Sequence, residues 1–199
     1  MANLRLNDWL GAPAAEVGPQ LLGAVLTHRA DAGTVAVRLT EVEAYDGETD
    51  PASHAWRGRT PRNAVMFGPA GFLYVYFSYG VHWCANVVCG ADGRAAAVLL
   101  RAGRVVEGAE LARERRGPVA DRALARGPAC LTQALGIGLE HRGADLRGAG
   151  PVVLEPGHQP LWSLGPRVGV SRAADRRWRF WATGDETVSA YRRSAHAPR

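Results

Sequence analysis

Lysine is missing from this 199-residue chain: all 24 of its Lys-or-Arg residues are arginine. Arginine stays protonated in proteins and cannot serve as an amine nucleophile. Schiff-base chemistry is therefore excluded except through the terminal amine of Met1, and so is a phosphate loop of the Walker type, which needs a lysine. Cysteine is scarce. Cys84, Cys89 and Cys130 form no CxxC pair and their number is odd, so neither a disulfide framework nor a zinc site is expected. Buried thiols in a reducing compartment are the default. No apolar run approaches membrane-spanning length and no signal-peptide pattern opens the chain. The expectation is a soluble, cytoplasmic protein.

What is present is positive charge on an ordinary globular composition. Hydrophobic residues make up 47% and the formal net charge is +5, with a pI of about 9.6, which favours an anionic partner. The length fits one domain able to bury a real core. Residues 1–9, with Trp9 as anchor, and 194–199 form loose ends of that single domain, 1–199. Val17, Leu21, Leu22 and Val25 lie near helical spacing and predict a helix over 14–26, with Pro19 early in it. A turn follows at residues 31–33, and then an alternating strand over 34–43. Residues 46–71 carry no apolar period and form a long loop, cationic through Arg57, Arg59 and Arg62. A hairpin is predicted over 72–88, a buried strand over 95–100 ending at Arg101, and a charged helix over 104–116. A second helix opens at Gly127-Pro128, and further strands are predicted at 151–154, 168–170 and 178–181. Strands outnumber helices and arrive in hairpins. This is the pattern of an α+β fold: a mainly antiparallel β-sheet with flanking helices and a protruding β-hairpin.

The chemistry concentrates in residues 39–86. Strict alternation places Val35, Val37 and Leu39 on one face, and Glu41 and Glu43 continue that face. Charged side chains are seldom buried unpaired, so spacing alone favours solvated carboxylates over carboxylates lining a cleft. In the hairpin, Tyr74 and Tyr76 share a face, as do His82, Cys84 and Asn86 on the return strand. Tyr79 stands beside the turn glycine, Gly80, where a core role is hard to supply.

Several motifs carry a resemblance. Glu41-Val42-Glu43-Ala44-Tyr45 is followed by Thr60-Pro61-Arg62-Asn63 with Met66-Phe67, by Tyr74-Val75-Tyr76-Phe77-Ser78-Tyr79-Gly80, and by Asn86. Val98-Leu99-Leu100-Arg101, Gly127-Pro128 with Leu131 and Ala134-Leu135, and Arg167-Val168-Gly169-Val170 complete the set. In this order and spacing the chain resembles the alkyladenine (3-methyladenine) DNA glycosylase family over about residues 10–191.

The resemblance implies a monofunctional glycosylase of base excision repair in a bacterial nucleoid. It would act as a monomer on double-stranded DNA containing damaged purines, with no metal or organic cofactor. Glu43 corresponds to the general base that activates the attacking water. Arg101 and the backbone carbonyl of Val168 would help hold that water. Tyr45 would stack on one face of an extruded base and His54 with Tyr76 on the other; Asn86 would line the floor. Tyr79 would fill the gap left in the duplex. The arginines, among them Arg57, Arg59, Arg62, Arg172 and Arg176, would supply phosphate contacts. Two other readings stay open: a binding module of the same fold without hydrolysis, and a nucleosidase acting on free nucleosides.

Overall fold

The computed structural model describes residues 9–78, 80–148 and 150–198. They build an antiparallel sheet arranged around one long strand, β2 (Gly33–Tyr45). The first half of β2 pairs with β1 (Val25–Ala30) on one side, and its last residues pair with β9 (Arg179–Ala182). Along its other side runs β5 (Ala97–Glu107), from Glu107 opposite Ala36 to Ala97 opposite Tyr45. The hairpin of β3 (Leu73–Ser78) and β4 (His82–Val88) extends the sheet beyond β5, and β7 (Val152–Glu155) closes the far edge on β1. The short strands β6 (Ala125–Arg126) and β8 (Trp162–Gly165) pair with β5 and β9.

Three helices, α1 (Ala14–Gln20), α2 (Ala109–Arg116) and α3 (Pro128–Leu135), flank the sheet. The α+β class, the antiparallel sheet and the hairpin expected from sequence are all present. Trp9, Val17, Leu22, Leu39, Val42, Leu73, Val87, Leu100, Leu131 and Leu135 meet in one hydrophobic core. α3 starts with Pro at its first turn, where the absent N–H is no loss, and stops at Gly136 in the left-handed region.

Four expectations are corrected, three of them in where elements begin and end. The helix expected over 14–26 ends at Gln20. Leu21 and Leu22 continue into the core as irregular chain, Gly23 takes φ +86°, and Val25 opens β1. Packing, not helical period, set that apolar spacing. The helix expected over 104–116 begins only at Ala109, because β5 runs on to Glu107 and Gly108 turns the chain at φ +71°. Residues 168–170, expected as a strand, form a turn, and β9 pairs with β2 and β8.

The correction with most consequence lies inside β2. Unbroken alternation would carry Glu41 and Glu43 onto the core face behind Leu39. The register with β5 instead shifts twice, between Leu39 and Glu41 and again between Glu41 and Val42. Val35, Val37 and Leu39 point into the core before the shifts; Val42 and Ala44 do so after them. Glu41, Glu43 and Tyr45 are thereby turned to the opposite face. On β5, Val98 and Leu100 enter the core, while Leu99 and Arg101 line a cavity on the other face. Bulges re-aim side chains in this way beside functional sites.

Gly103 sits at that irregularity, opposite Leu39. A Cβ there would lie 2.3 Å from Val37 Cγ1 and 2.5 Å from the Arg38 carbonyl oxygen. Gly103→Ala is expected to lower stability by about 1–3 kcal/mol through overpacking, read from the urea midpoint. Gly11→Ala, where a Cβ meets nothing within 4 Å, should stay within about 0.5 kcal/mol of wild type.

Candidate active site

The face re-aimed by the bulge opens into a cavity of about 520 Å³, a size usual for small-ligand sites. Its wall combines the end of β2 (Glu43, Tyr45), β5 (Leu99, Arg101), the hairpin, the loop after β2 (His54, Arg62) and the turn at Val168–Arg172. The hairpin register pairs Tyr74 with Asn86, Tyr76 with Cys84 and Ser78 with His82. All six side chains therefore share one face, and all six line the cavity. The period of two had grouped Tyr74 with Tyr76, and His82 with Cys84 and Asn86; the register joins the two groups and adds Ser78.

Glu43 and Glu41 are both completely buried, against the spacing argument for solvation. Each is supplied with donors. Glu43 Oε1 accepts the backbone N–H of Val168 at 2.7 Å and Oε2 accepts the Tyr45 hydroxyl at 2.9 Å. Arg101 Nε lies 3.5 Å from Glu43 Oε1. Glu41 accepts Arg101 Nε at 2.9 Å, Arg179 Nε at 2.7 Å, and the N–H and hydroxyl of Ser189 at 2.7 and 2.9 Å. Burial alone would weaken the hold of Arg101 on its proton. The negative charges of Glu43 and Glu41 reverse this and raise its pKa.

Two groups of rings face the carboxylate. His54 packs edge-on against Tyr76 with centroids 4.4 Å apart, Tyr76 stacks with Tyr74 at 5.5 Å, and His54 Nδ1 is 3.2 Å from the Tyr74 hydroxyl. Tyr45 lines the same cavity and makes no ring contact with them among the described residues. Burial and the charge of Glu43 push the Tyr45 phenol well above its ordinary value, so it remains a donor. Burial, with Cys84 next, does the same to Tyr76, and burial raises Tyr74. Burial, aided by the Arg62 cation, lowers His54 below the ordinary imidazole value, leaving a neutral ring at pH 7. Asn86 is buried, and its amide donates to the Tyr74 carbonyl at 3.1 Å.

Behind Tyr45 stands a pair that spacing did not signal. Arg167 lies with its guanidinium carbon 4.6 Å from the Tyr45 ring centroid. It is fully buried, donating to both carboxylate oxygens of Asp50 and to the Ala44 carbonyl. The two residues are 117 positions apart, and no local pattern joins them.

The arginines expected at phosphates divide. Arg62 and Arg172 line the cavity and are exposed. Arg62 also donates to the Phe77 carbonyl at 3.0 Å, tying loop to hairpin. Arg172 and Arg57 both stack on the half-exposed Trp56, and Arg59 lies over Phe67. Arg176 is partly exposed and already engaged, donating to the Thr49 carbonyl at 3.0 Å and lying 3.8 Å from Asp50. Tyr79, given the role of a wedge, lies outside the described residues. Among the described residues no group of three or more His, Cys, Asp or Glu could hold a metal ion, and no helix is long and apolar enough to cross a membrane.

Comparison with known proteins adds an independent finding. A sequence model of the methylpurine-DNA glycosylase family matches residues 8–186. A protein of Nocardia farcinica, provisionally named a 3-methyladenine DNA glycosylase, is 57% identical over 190 residues, covering 90% of this chain and 87% of the relative. Proteins of the same provisional name from Leifsonia xyli and Streptomyces avermitilis are 53% and 50% identical. The former alignment covers 94% of this chain and 92% of the relative; the latter covers 97% and 93%.

Two outcomes follow from the site's electrostatics. Removing Asp50 strands a buried guanidinium, so Asp50→Ala should cost about 3–5 kcal/mol in chemical denaturation. The folded protein keeps Tyr45, Tyr74 and Tyr76 protonated beyond their ordinary value of 10.0. The unfolded chain then releases those protons first, so stability should hold below pH 10 and decline above it. Ultraviolet difference titration should show these three phenols ionising late, together with unfolding.

Proposed function

The chain belongs to the methylpurine-DNA glycosylase family, and from that premise we propose that it is a monofunctional DNA repair glycosylase acting on damaged purines. The family makes it a hydrolase of N-glycosyl bonds with DNA as substrate. The observation that carries the finer reading is Glu43, a wholly buried carboxylate held by two donors at the wall of an aromatic cavity.

An N-glycosidic bond inside a duplex is out of reach of such a cavity, so the nucleotide is extruded at a cost of a few kcal/mol, least for a damaged pair. The base enters between Tyr45 on one side and His54 with Tyr76 on the other, each stack worth about 1–3 kcal/mol and tolerant of base identity. Asn86 lines the floor. Tyr79 occupies the vacated position in the stack, an assignment that rests on the family resemblance.

As the purine leaves, positive charge develops on the sugar. Glu43 stabilises that charge and removes a proton from the attacking water, as carboxylates do in glycoside hydrolysis. The Val168 N–H and the Tyr45 hydroxyl fix the carboxylate; Arg101 and the Val168 carbonyl orient the water. The neutral His54 adds no charge beside a cationic alkylated base, whereas an imidazolium there would repel it. Arg57, Arg59, Arg62 and Arg172 meet phosphates. Arg176, engaged with Thr49 and Asp50, is the weakest of the five. Without lysine there is no side-chain amine to form an imine with the abasic sugar, and only the terminal amine of Met1 could cut the strand by that route; the protein acts as a monomer that leaves the strand intact.

The test is a panel of duplexes carrying 7-methylguanine, ethenoadenine or hypoxanthine, with the free nucleosides beside them. Glu43→Gln should retain lesion binding and lose about 10²–10⁴-fold in the rate of base release. Wild type should yield no borohydride-trapped adduct with an abasic duplex. Release by Glu43→Gln at the wild-type rate, or faster turnover of nucleosides than of duplex, would refute the reading.

A further inference from the structure

Arg101 stands between two carboxylates and hydrogen-bonds the one that does not line the cavity. Its Nε is 2.9 Å from Glu41 Oε1 and 3.5 Å from Glu43 Oε1. Glu41 is absent from the cavity wall, which includes both Glu43 and Arg101. We propose that Glu41 is a positioning residue: by taking the Arg101 hydrogen bond, with Ser189 as its brace, it keeps that guanidinium off Glu43 and leaves Glu43 able to accept a proton. The inference rests on the reading of Glu43 as general base and extends it to residues that do not touch the substrate.

Three observations carry it. Glu41 is completely buried and meets four donors, three of them at Oε1, the oxygen that holds Arg101. Ser189 binds every other member of the group. Its N–H and hydroxyl donate to Glu41, its hydroxyl accepts Arg101 Nη2 at 3.3 Å, and its carbonyl accepts Arg179 Nη2 at 2.7 Å. The segment that delivers Ser189 is itself anchored at the bulge: Thr187 is buried and its hydroxyl lies 2.7 Å from that of Thr40. The matched family region ends at residue 186, so the brace lies just beyond it.

The electrostatic consequence has one sign. Glu43 is faced by Arg101 from β5, by Arg167 from the segment after β8, by Glu41 and Tyr45 on its own strand, by Arg179 opposite it on β9, and by Tyr76 and Cys84 from the hairpin. Neutralising Glu41 removes a nearby negative charge and frees Arg101 to close on Glu43. Both changes favour ionised Glu43 and make it a poorer proton acceptor.

Glu41→Gln and Ser189→Ala are compared with wild type and Glu43→Gln in single-turnover base release from a hypoxanthine duplex across pH, in affinity for the same duplex, and by crystallography. Glu41→Gln should bind within about twofold of wild type and release base about tenfold more slowly, the loss lying in the chemical step. The acid limb of its pH–rate profile should move to lower pH, and Arg101 Nε should close to about 2.9 Å from Glu43. Ser189→Ala should move each readout the same way by less, and decides the matter if Glu41→Gln does not fold. The proposal is overturned if Arg101 keeps its wild-type separation from Glu43. It is also overturned if rate and affinity fall together with the acid limb unmoved, the pattern of a merely structural residue. If Arg101 closes on Glu43 while Glu43→Gln releases base at the wild-type rate, the general-base reading falls and the catalytic role of Glu41 falls with it, although Glu41 still sets where Arg101 lies.

Discussion

Two carboxylates two residues apart on a strand paired along both sides are wholly removed from water. A buried carboxylate costs several kcal/mol unless cations and hydrogen-bond donors replace its hydration. The architecture around β2 supplies that replacement from four separate parts of the chain: β5 brings Arg101, β9 brings Arg179, the turn after β8 brings the Val168 N–H, and the C-terminal segment brings Ser189. The position of these elements relative to one another is thus tied to a single charge cluster. Each donor of the cluster is fixed by the fold and needs no ligand to bring it into place, the arrangement that electrostatic preorganisation describes.

The cluster also divides the labour between its acids. Glu41 is enclosed by charged and hydroxyl donors and organises its neighbours. Glu43, with fewer donors, stays at the cavity wall facing the rings. The same division recurs at Tyr45, where Asp50 neutralises Arg167 and lets a guanidinium lie over the ring. Tyr45 is thereby clamped between a cation and the carboxylate its hydroxyl donates to. Its orientation is set by tertiary contacts on two sides and not by its strand alone.

Much of the hairpin wall was legible. Alternation in residues 73–88 placed Tyr74 with Tyr76 and His82 with Cys84 and Asn86, because side chains in an unbulged strand keep a two-residue period; the register of the hairpin set the two groups on one face. The lack of lysine bounded the chemistry by side-chain identity alone. Local pattern misled at two kinds of place. Leu21, Leu22 and Val25 mimicked a helical stripe, since any route through a core shows apolar residues at short intervals. Along β2 the alternation was real and its continuation was not, because a bulge inverts the faces and no residue at 39–42 announces one.

By itself the sequence determined the residue types available for reaction, the two-residue grouping of the hairpin, the α+β class and, through ordered motifs spread over the chain, the family. Tertiary structure decided which face the carboxylates occupy, that Arg101 bonds Glu41 in preference to Glu43, and that Arg167 and Ser189 belong to the site at all. These are contacts between residues on the order of a hundred positions apart, and their strength depends on exclusion of water by the packed sheet. Burial of that kind is a property of the assembled fold, and no local stretch of sequence carries it.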